Sequence, residues 1–341
     1  MIGIGLMGSG FIAETYADSL LDVRNAELVA CCSRNPERAR AFAAKWQVTA
    51  HVDAEALCAD PKVQLVVIAL PNEVHLEAVE IAARHGKAVI CTKPLARTAA
   101  EAQRMLDIVR HAGVWHGYAE SAVFSPNIAK AYEMVQAGGI GDLLTMRARE
   151  AHSGPHAPHF WDAETAGGGA LLDMGCHTVE SARHFFGKDN PVTEVMAWGA
   201  TMVHRDKTTG EDASIALLKF AGGQLATIES SWIEKGGMQL RHELVGSEGR
   251  IVTDTSVGPV WGFVGKPVGY TVEKADAETG WVYPVPEETR AYGFSQQMRH
   301  FVDCFAAGTA PSETFEDGVI VNRIIDACYR SMRTRRWEEV T

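Results

Sequence analysis

Residues 2–13 of the chain read IGIGLMGSGFIA, a short apolar run followed directly by a glycine loop. The run Ile2–Leu6 is continuous and lacks polar residues, which is typical of a strand buried on both faces of a parallel sheet. An apolar strand that passes through a glycine loop into a helix is the start of a βαβ unit. This stretch therefore predicts an α/β fold at the beginning of the chain.

The glycine loop matches the pattern G-x-G-x-x-G/A through Gly8, Gly10 and Ala13. The first glycine permits a tight turn, the second lets the backbone approach a pyrophosphate, and the small third residue lets helix and strand pack closely. The diphosphate would bind the N–H groups at the helix N-terminus, where Phe11 and Ile12 lie. We predict a dinucleotide site here; the alternative is a tight glycine turn that binds no ligand.

Strands and helices alternate over the first 120 residues. Further buried strands are predicted at Leu28–Cys32, Leu65–Leu70, Lys87–Cys91 and Val114–Tyr118. Helices between them carry start and stop signals: Asn35-Pro36 for a helix through Trp46, Asn72 for one that ends at Gly86, and a capping box Thr98-x-x-Glu101 for one to about His111. The alternation predicts a doubly wound parallel sheet, the Rossmann arrangement, with its ligand at the carboxyl ends of the strands.

The sequence pattern changes near residue 120. Ser125-Pro126 predicts one more helix, to about Ala137. Long alternating runs then predict strands at Leu143–Ala151, Val192–Val203, Ala213–Phe220, Gln224–Ile233, Gln239–Val245 and Arg250–Asp254. Helices are expected to cover one face of this sheet, at Cys176–Phe186, Phe294–Ala307 and Asp317–Met332. We predict a Rossmann domain over residues 1–120 and, over residues 121–341, an α+β domain with a large, open, mostly antiparallel sheet.

Composition narrows the classes of function. The 341 residues carry a net charge of −11, which argues against a general nucleic-acid binder. The seven cysteines form no C-x-x-C pair and their number is odd, which favours a reduced, cytoplasmic protein. No apolar run approaches the length of a transmembrane helix, and the apolar start lacks the positive region of a signal peptide. We expect a small-molecule ligand and no membrane partner.

The turn after the second strand bears on the choice of cofactor. An acidic residue there would bind the adenosine ribose 2′-hydroxyl of NAD. The chain instead has Ser33, Arg34 and, further on, Arg38. Guanidinium groups suit a 2′-phosphate and also stack on adenine. These residues favour NADP, although NAD stays acceptable if Arg34 only stacks on adenine and Arg38 is a solvated charge.

Three further motifs complete an ordered set: PNEVH at residues 71–75, TKPL at residues 92–95 and GGGALLDMGCH at residues 167–177. Together with the glycine loop, over about residues 2–333, they resemble the glucose–fructose oxidoreductase/inositol dehydrogenase (Gfo/Idh/MocA) family. The resemblance implies an oxidoreductase that transfers a hydride between a nicotinamide cofactor and one carbon of a sugar, polyol or related cyclic compound. It also implies that the open sheet forms oligomers, so we expect a homodimer or homotetramer and a second domain used for substrate binding and oligomerisation.

The same resemblance suggests roles for individual residues. Pro71, Asn72 and His75 would line the cofactor. Lys93 would contact both cofactor and substrate, while Asp173 and His177 would act at the substrate. Two departures from the family pattern stand out: Thr92 replaces the usual Glu, and the stretch that ends at Glu120 lacks the usual Arg. We therefore count Glu120 as a candidate substrate residue in an unusual pocket.

The chemistry of the three candidate catalytic residues suits this reaction. The ammonium of Lys93 can bind a substrate oxygen and stabilise a developing alkoxide. His177, with an ordinary pKa near 6.5, can exchange a proton at neutral pH, and we expect both groups to act beside the nicotinamide. Asp173 lies four residues earlier and could orient the imidazole or bind a neighbouring hydroxyl. Alternatively, Lys93 is a solvated charge and His177 a packing or capping residue.

A histidine-rich loop precedes the triple glycine, with His152, His156 and His159 followed by Trp161. It could bind substrate, with Trp161 stacked on a sugar face and His156 on a hydroxyl. It could hold a metal, since imidazole and carboxylate are suitable ligands, but no known zinc spacing matches and we assign no metal site. It could also be a solvated loop. Two other functions stay open: a glycoside-cleaving enzyme that uses tightly bound NAD for transient oxidation, and a non-catalytic nucleotide-binding subunit.

Overall fold

The computed structural model describes residues 1–256, 258, 260–269 and 273–341. The chain divides into two compact units. The first comprises Met1–Ser121 and Gly293–Asn322, and the second comprises Ala122–Tyr292 and Arg323–Thr341. The long helix α11 (Phe315–Thr334) contributes residues to both units.

A six-stranded parallel sheet forms the centre of the first unit. Its strands are β1 (Ile2–Met7), β2 (Ala26–Cys32), β3 (Thr49–His51), β4 (Leu65–Ile68), β5 (Ala88–Thr92) and β6 (His116–Ala119). Their order in the sheet is β3-β2-β1-β4-β5-β6, and every pair is parallel. The order reverses between β1 and β4, so the carboxyl ends of these two strands flank the crevice where such sheets bind ligands. The predicted Rossmann fold is confirmed.

Five helices connect these strands: α1 (Phe11–Leu20), α2 (Pro36–Trp46), α3 (Ala54–Ala59), α4 (His75–Arg84) and α5 (Ala99–Ala112). The predicted caps are present. The Asn35 side chain accepts the backbone N–H groups of the first turn of α2, and the Thr98 hydroxyl accepts the N–H of Glu101. The capping box is only half formed, because the Glu101 carboxylate bonds the backbone and side chain of Arg97 instead of returning to Thr98. The short elements β3 and α3 were not predicted.

One predicted helix lies in the other unit. We expected α10 (Phe294–Ala307) to cover the sheet of the second domain, but it belongs to the first unit. Phe294 packs edge-to-face on Tyr16 of α1 with ring centroids 5.6 Å apart, and the Phe301 ring lies against Gly117 of β6. The first unit is therefore not a simple stretch of 120 residues. The amphipathic pattern of α10 predicted an apolar face correctly but did not identify the surface that covers it.

A seven-stranded mixed sheet forms the centre of the second unit. Its strands are β7 (Leu143–Ala151), β8 (Val192–Ala200), β9 (Ala213–Phe220), β10 (Leu225–Ser231), β11 (Gln239–Gly246), β12 (Arg250–Asp254) and, at one edge, β15 (Glu338–Glu339). The order is β12-β11-β7-β10-β9-β8-β15, and every pair is antiparallel except β7 with β10. Strands β13 (Gly262–Val264) and β14 (Gly280–Val282) form a separate hairpin. The predicted mostly antiparallel sheet is confirmed.

Helices α6 (Pro126–Gln136), α7 (Ala163–Ala166), α8 (Cys176–Phe186) and α9 (Glu288–Ala291) complete the second unit. Helix α8 packs on β7 and β10, and α11 is tied to β8 through the Ser331 hydroxyl, which accepts the N–H of Ala197 at 2.9 Å. The opposite face of the sheet exposes large side chains. Trp198 of β8 and Ile215 of β9 are paired in register and are 50% and 45% exposed. One face of the sheet therefore carries the helices, and the other is open.

All seven cysteines are free thiols. Among the helices of the described residues, none combines the length and the apolar character that crossing a bilayer requires.

Candidate active site

Gly8 and Gly10 of the first loop are glycines for different structural reasons. Gly8 has φ of +126°, and a Cβ added there would lie 2.2 Å from the Ala69 carbonyl oxygen, so the fold itself requires glycine. A Cβ added at Gly10 would meet no protein atom within 4 Å. Helix α1 starts at the next residue, Phe11, which is 55% exposed, while Ala13 is buried against the sheet. The open space at Gly10, in front of a helix N-terminus, fits a diphosphate held by backbone N–H groups.

The turn after β2 lies against this loop. The Ser9 hydroxyl donates to the Ser33 hydroxyl at 2.9 Å, and the Ser33 oxygen also accepts the N–H of Asn35. Arg34 and Arg38 are both exposed, and Arg34 lines a shallow surface depression with Asn35 and Arg40. Both guanidinium groups are therefore accessible at the end of β2, and their contact with a 2′-phosphate stays a prediction.

His75 is fully buried between two chain segments. Its Nε2 lies 2.9 Å from the Leu70 carbonyl oxygen, and its Nδ1 lies 3.1 Å from the Leu95 carbonyl oxygen. These two carbonyls follow β4 and β5, so the ring ties together two loops at the carboxyl edge of the sheet. The Thr92 hydroxyl lies 3.5 Å from Nε2, so the residue that replaces the family's Glu contacts His75. The predicted contact of Pro71, Asn72 and His75 with a cofactor stays a prediction.

Lys93 and Glu120 follow the last two strands of the Rossmann sheet but differ in environment. Lys93 comes directly after β5, is partly exposed and precedes Pro94 through a cis peptide bond. Glu120 follows β6 and is fully buried. The backbone carbonyl of Glu120 accepts a hydrogen bond from the side-chain amide of Gln297. The Glu120 side chain lies near Tyr16, whose pKa is raised by burial and, to a smaller extent, by Cys91 and Glu120. Glu120 therefore lies in the interior of the first unit, and its predicted contact with substrate stays a prediction.

Asp173 and His177 lie at the junction of two kinds of helix. Leu171–Gly175 form a π-helical turn, and α8 begins at the next residue, so the regular helical spacing expected between the two side chains is interrupted. Such turns are rare and occur frequently at functional sites. Both side chains are largely buried: Asp173 is 7% exposed and His177 is 8% exposed. The Asp173 Oδ2 accepts the indole N–H of Trp232 at 3.1 Å.

An aromatic cluster lies beside Asp173. The ring centroid of Trp161 is 5.3 Å from that of Trp232 and 4.8 Å from that of His204, with edge contacts in both cases. The ammonium of Lys207 lies 5.2 Å from the Trp161 ring centroid. Trp161 itself stays partly exposed. Two predicted substrate residues, Trp161 and Asp173, are thus joined in the second unit by Trp232.

The three histidines of the loop have separate partners. His156 is paired with Glu273, with 3.1 Å between Nε2 and Oε1, and remains nearly half exposed. His152 is buried and its Nδ1 accepts the N–H of Gly154, while His159 packs on Phe160. Burial raises the pKa of Glu273, but His156, Lys274 and His152 outweigh that effect and hold the pKa below its ordinary value. Two of the three imidazoles therefore lie near one carboxylate.

Sequence reasoning missed Glu211 and Tyr329, which fix the triple glycine. Glu211 Oε1 accepts the N–H of Leu171 at 2.9 Å and the Tyr329 hydroxyl at 3.0 Å. A Cβ at Gly168 would lie 2.1 Å from the Tyr329 hydroxyl, and one at Gly169 would lie 2.1 Å from the Glu211 carbonyl oxygen. Burial raises the pKa of Glu211, although these hydrogen bonds oppose the shift. The only signal in the sequence was the run of glycines itself, which implies close contact with another segment.

The fold and these sites define an NAD-binding oxidoreductase with a Rossmann domain and a second domain built on a mixed sheet. Comparison with known families agrees in both parts. Residues 2–119 match the model of the oxidoreductase family with an NAD-binding Rossmann fold, and residues 128–252 match the GFO/IDH/MocA C-terminal domain. The chain belongs to the Gfo/Idh/MocA family of oxidoreductases, and the resemblance predicted from the motifs is confirmed.

Relatives match over the whole length. Myo-inositol 2-dehydrogenase of Thermotoga maritima is 29% identical over 98% of this chain and 97% of its own. Levoglucosan dehydrogenase of Pseudarthrobacter phenanthrenivorans is 26% identical over 99% of this chain and 98% of its own. Among solved structures, GenD2 from gentamicin A biosynthesis in complex with NAD superposes with a TM-score of 0.94 at 27% identity, covering 100% of this chain and 96% of that chain.

Proposed function

We propose that this oxidoreductase acts on a hydroxyl-bearing carbon of a sugar, polyol or related cyclic compound. The observation that carries the proposal is the hydrogen bond from Trp232 to Asp173, which places a largely buried carboxylate, four residues before the largely buried His177, beside the ring of Trp161. A carboxylate, an imidazole and an exposed aromatic edge are the groups that bind neighbouring hydroxyls and the apolar face of a sugar ring. The names of the relatives, an inositol dehydrogenase and a levoglucosan dehydrogenase, support the same substrate class.

A bound nicotinamide supplies the hydride chemistry, and the protein handles the proton. In the proposed mechanism His177 accepts the proton of the reacting hydroxyl in the oxidative direction, since an imidazole exchanges protons near neutral pH. Asp173 orients the imidazole or binds the adjacent hydroxyl. Lys93 donates a hydrogen bond to the reacting oxygen and stabilises negative charge on it. Trp161 and His156 contact the rest of the substrate.

We further propose NADP as the preferred cofactor. Support comes from Arg34 and Arg38, both exposed at the end of β2, and from the serine that stands where NAD-specific folds carry an acid. The alternative cofactor is NAD, and a solved complex of levoglucosan dehydrogenase with NADH and L-sorbose supports it. That structure superposes with a TM-score of 0.83 at 26% identity, and the match covers 100% of this chain and 99% of that chain.

A homo-oligomer is proposed as the working form. The exposed pair of Trp198 and Ile215 lies on the open face of the sheet, where apolar side chains of this size gain stability by being covered. Light scattering on a size-exclusion column should give a dimer or tetramer, and replacing both residues with glutamate should shift the mass toward the monomer. A wild-type monomer would contradict the proposal.

The decisive experiment measures cofactor turnover. The purified protein is incubated with NAD or NADP and a panel of sugars, polyols and cyclitols. Reduced nicotinamide is followed by absorbance while the oxidised product, a ketone, aldehyde or lactone, is quantified. We expect at least one compound to give equal amounts of reduced cofactor and oxidised product. Cleavage of glycosides without net reduction of cofactor would instead favour transient oxidation on tightly bound NAD. Absence of cofactor binding in calorimetry would overturn the proposal.

A further inference from the structure

We infer that Trp232 is a positioning residue for Asp173, one that fixes the direction of the Asp173 carboxylate in the reaction. The inference rests on the proposed function, because it takes Asp173 as a residue that acts at the substrate. No sequence motif predicts a role for Trp232, which follows β10 and lies 59 residues after Asp173 in the sequence.

The Trp232 ring has little freedom to move. It is fully buried and packs against Ala170, Met174 and Trp161. Its own backbone is held at both polar groups: the N–H donates to the Asp212 carbonyl at 2.7 Å, and the carbonyl oxygen lies 3.1 Å from His204 Nε2. The indole N–H is therefore presented to Asp173 from a rigid support, which is the arrangement that positions a neighbouring side chain accurately.

Asp173 needs such a support because its backbone is irregular. It lies in the middle of the π-helical turn Leu171–Gly175, and the start of that turn is held by Glu211 through the N–H of Leu171. A hydrogen bond from outside the turn therefore contributes to the direction of the carboxylate. The indole N–H donates to Oδ2, so it holds one oxygen of the carboxylate from outside the turn. Since a hydrogen bond to a charged group is stronger than one between neutral groups, the indole donor favours the carboxylate orientation that meets it.

The test uses Trp232→Phe, which keeps a buried aromatic ring and removes the indole N–H. Trp46→Phe is the matched control, because Trp46 also donates its indole N–H to a carboxylate, that of Glu14, and has no role in the proposed chemistry. For Trp232→Phe we expect kcat to fall about tenfold with KM and the cofactor Kd within about twofold of wild type, since a displaced group slows chemistry more than binding. Trp46→Phe should leave all three unchanged. A Trp232→Phe enzyme with wild-type kcat would overturn the inference.

A double-mutant cycle with Asp173→Asn separates this inference from the proposed function. If Trp232 acts through Asp173, adding Trp232→Phe to Asp173→Asn causes no further loss of kcat. A full additional loss would show that Trp232 contributes only to structure and would overturn the inference. An Asp173→Asn enzyme with wild-type kcat would instead refute the catalytic assignment of Asp173, and the inference would fall with it.

If Asp173→Asn has no measurable turnover, nuclear magnetic resonance tests the hydrogen bond between Trp232 and Asp173 directly. The indole ¹H–¹⁵N signal of Trp232 is assigned as the one that Trp232→Phe lacks. A carboxylate acceptor shifts such a proton downfield, so Asp173→Asn should move this signal upfield and leave the Trp46 signal in place. An unmoved Trp232 signal would overturn the inference.

Discussion

The Ser9 hydroxyl donates to the Ser33 hydroxyl across 2.9 Å, which joins the glycine loop after β1 to the turn after β2. In a Rossmann domain the first of these turns faces the diphosphate and the second faces the adenosine ribose. Ser33 also accepts the N–H of Asn35, the residue that caps α2. Two protein hydrogen bonds therefore hold the turn after β2, the turn to which we assign the choice between NAD and NADP, and Arg34 lies between Ser33 and Asn35 in that turn.

The first prediction concerns cofactor choice. Arg34→Ala should weaken NADP binding about tenfold and change NAD binding by less than about twofold, because one charge-assisted contact to the 2′-phosphate is lost. Isothermal titration calorimetry with both cofactors measures this. Arg104→Ala, an exposed arginine on α5, is the control and should change neither affinity. Equal losses for NAD and NADP would show that Arg34 only stacks on adenine.

Two glycine substitutions should separate folding from cofactor binding. Gly10→Ala should leave the melting temperature nearly unchanged, because the new methyl group meets no protein atom, but it should weaken dinucleotide binding at least about tenfold by occupying the space for the diphosphate. Gly8→Ala should destabilise the protein by about 2 kcal/mol or more, since φ is positive there and the methyl group would collide with the Ala69 carbonyl. Thermal melts and calorimetry test both.

The Gly10→Ala result also bears on the class of protein. If this variant binds NAD and NADP as tightly as the wild type does, the loop after β1 does not hold the diphosphate. A Gly10→Ala protein that melts well below wild type would show that Gly10 serves the fold and would remove the structural argument for a ligand at this point.

The proposed catalytic pair gives a third prediction. Lys93→Met and His177→Gln should each lower kcat about a hundredfold or more, because each removes a group that stabilises or exchanges charge at the reacting hydroxyl. Neither should change the melting temperature greatly. Lys62→Met, at an exposed lysine of the same unit as Lys93, is the control and should retain full activity. Wild-type turnover by either catalytic variant would refute its assigned role.

Asp212 gives a prediction about stability and pH. Its buried carboxylate accepts the N–H groups of Met202, Val203 and His204. Burial raises the pKa of Asp212, but these backbone hydrogen bonds outweigh that effect and hold the pKa below its ordinary value. A carboxyl group with a lowered pKa stabilises the fold above its unfolded pKa, about 3.9, and loses that contribution as the pH falls through the folded value.

Asp212→Asn should therefore lower the free energy of unfolding by about 2 kcal/mol at neutral pH, since one amide oxygen replaces two carboxylate oxygens. The difference from wild type should shrink as the pH falls below about 4. Denaturant unfolding at several pH values measures it, with Asp189→Asn, at an exposed turn position, as the control. A difference that stays constant with pH would show that the charge of Asp212 contributes nothing.

Local patterns in the sequence predicted most of the fold. The extents of α2, α8, α10, β7, β9 and β12 agree with those expected from caps, turn residues and apolar periodicity. Each of these signals is complete within a few residues of the chain, because a cap bonds the helix it starts and a side-chain period describes one element. The glycine loop was recognised for the same reason: Gly8, Gly10 and Ala13 act on one turn and one helix.

Tertiary structure decided what depends on contacts between distant segments. Three such contacts join residues far apart in sequence: the packing of α10 on α1, the hydrogen bonds by which Glu211 and Tyr329 hold the triple glycine, and the indole hydrogen bond from Trp232 to Asp173. An apolar face or a buried polar atom shows that a partner is needed but does not identify it. The sequence alone thus determined the extent of those elements whose signals are local. The folded chain determined which side chains contact one another, because these contacts join segments that are distant in sequence.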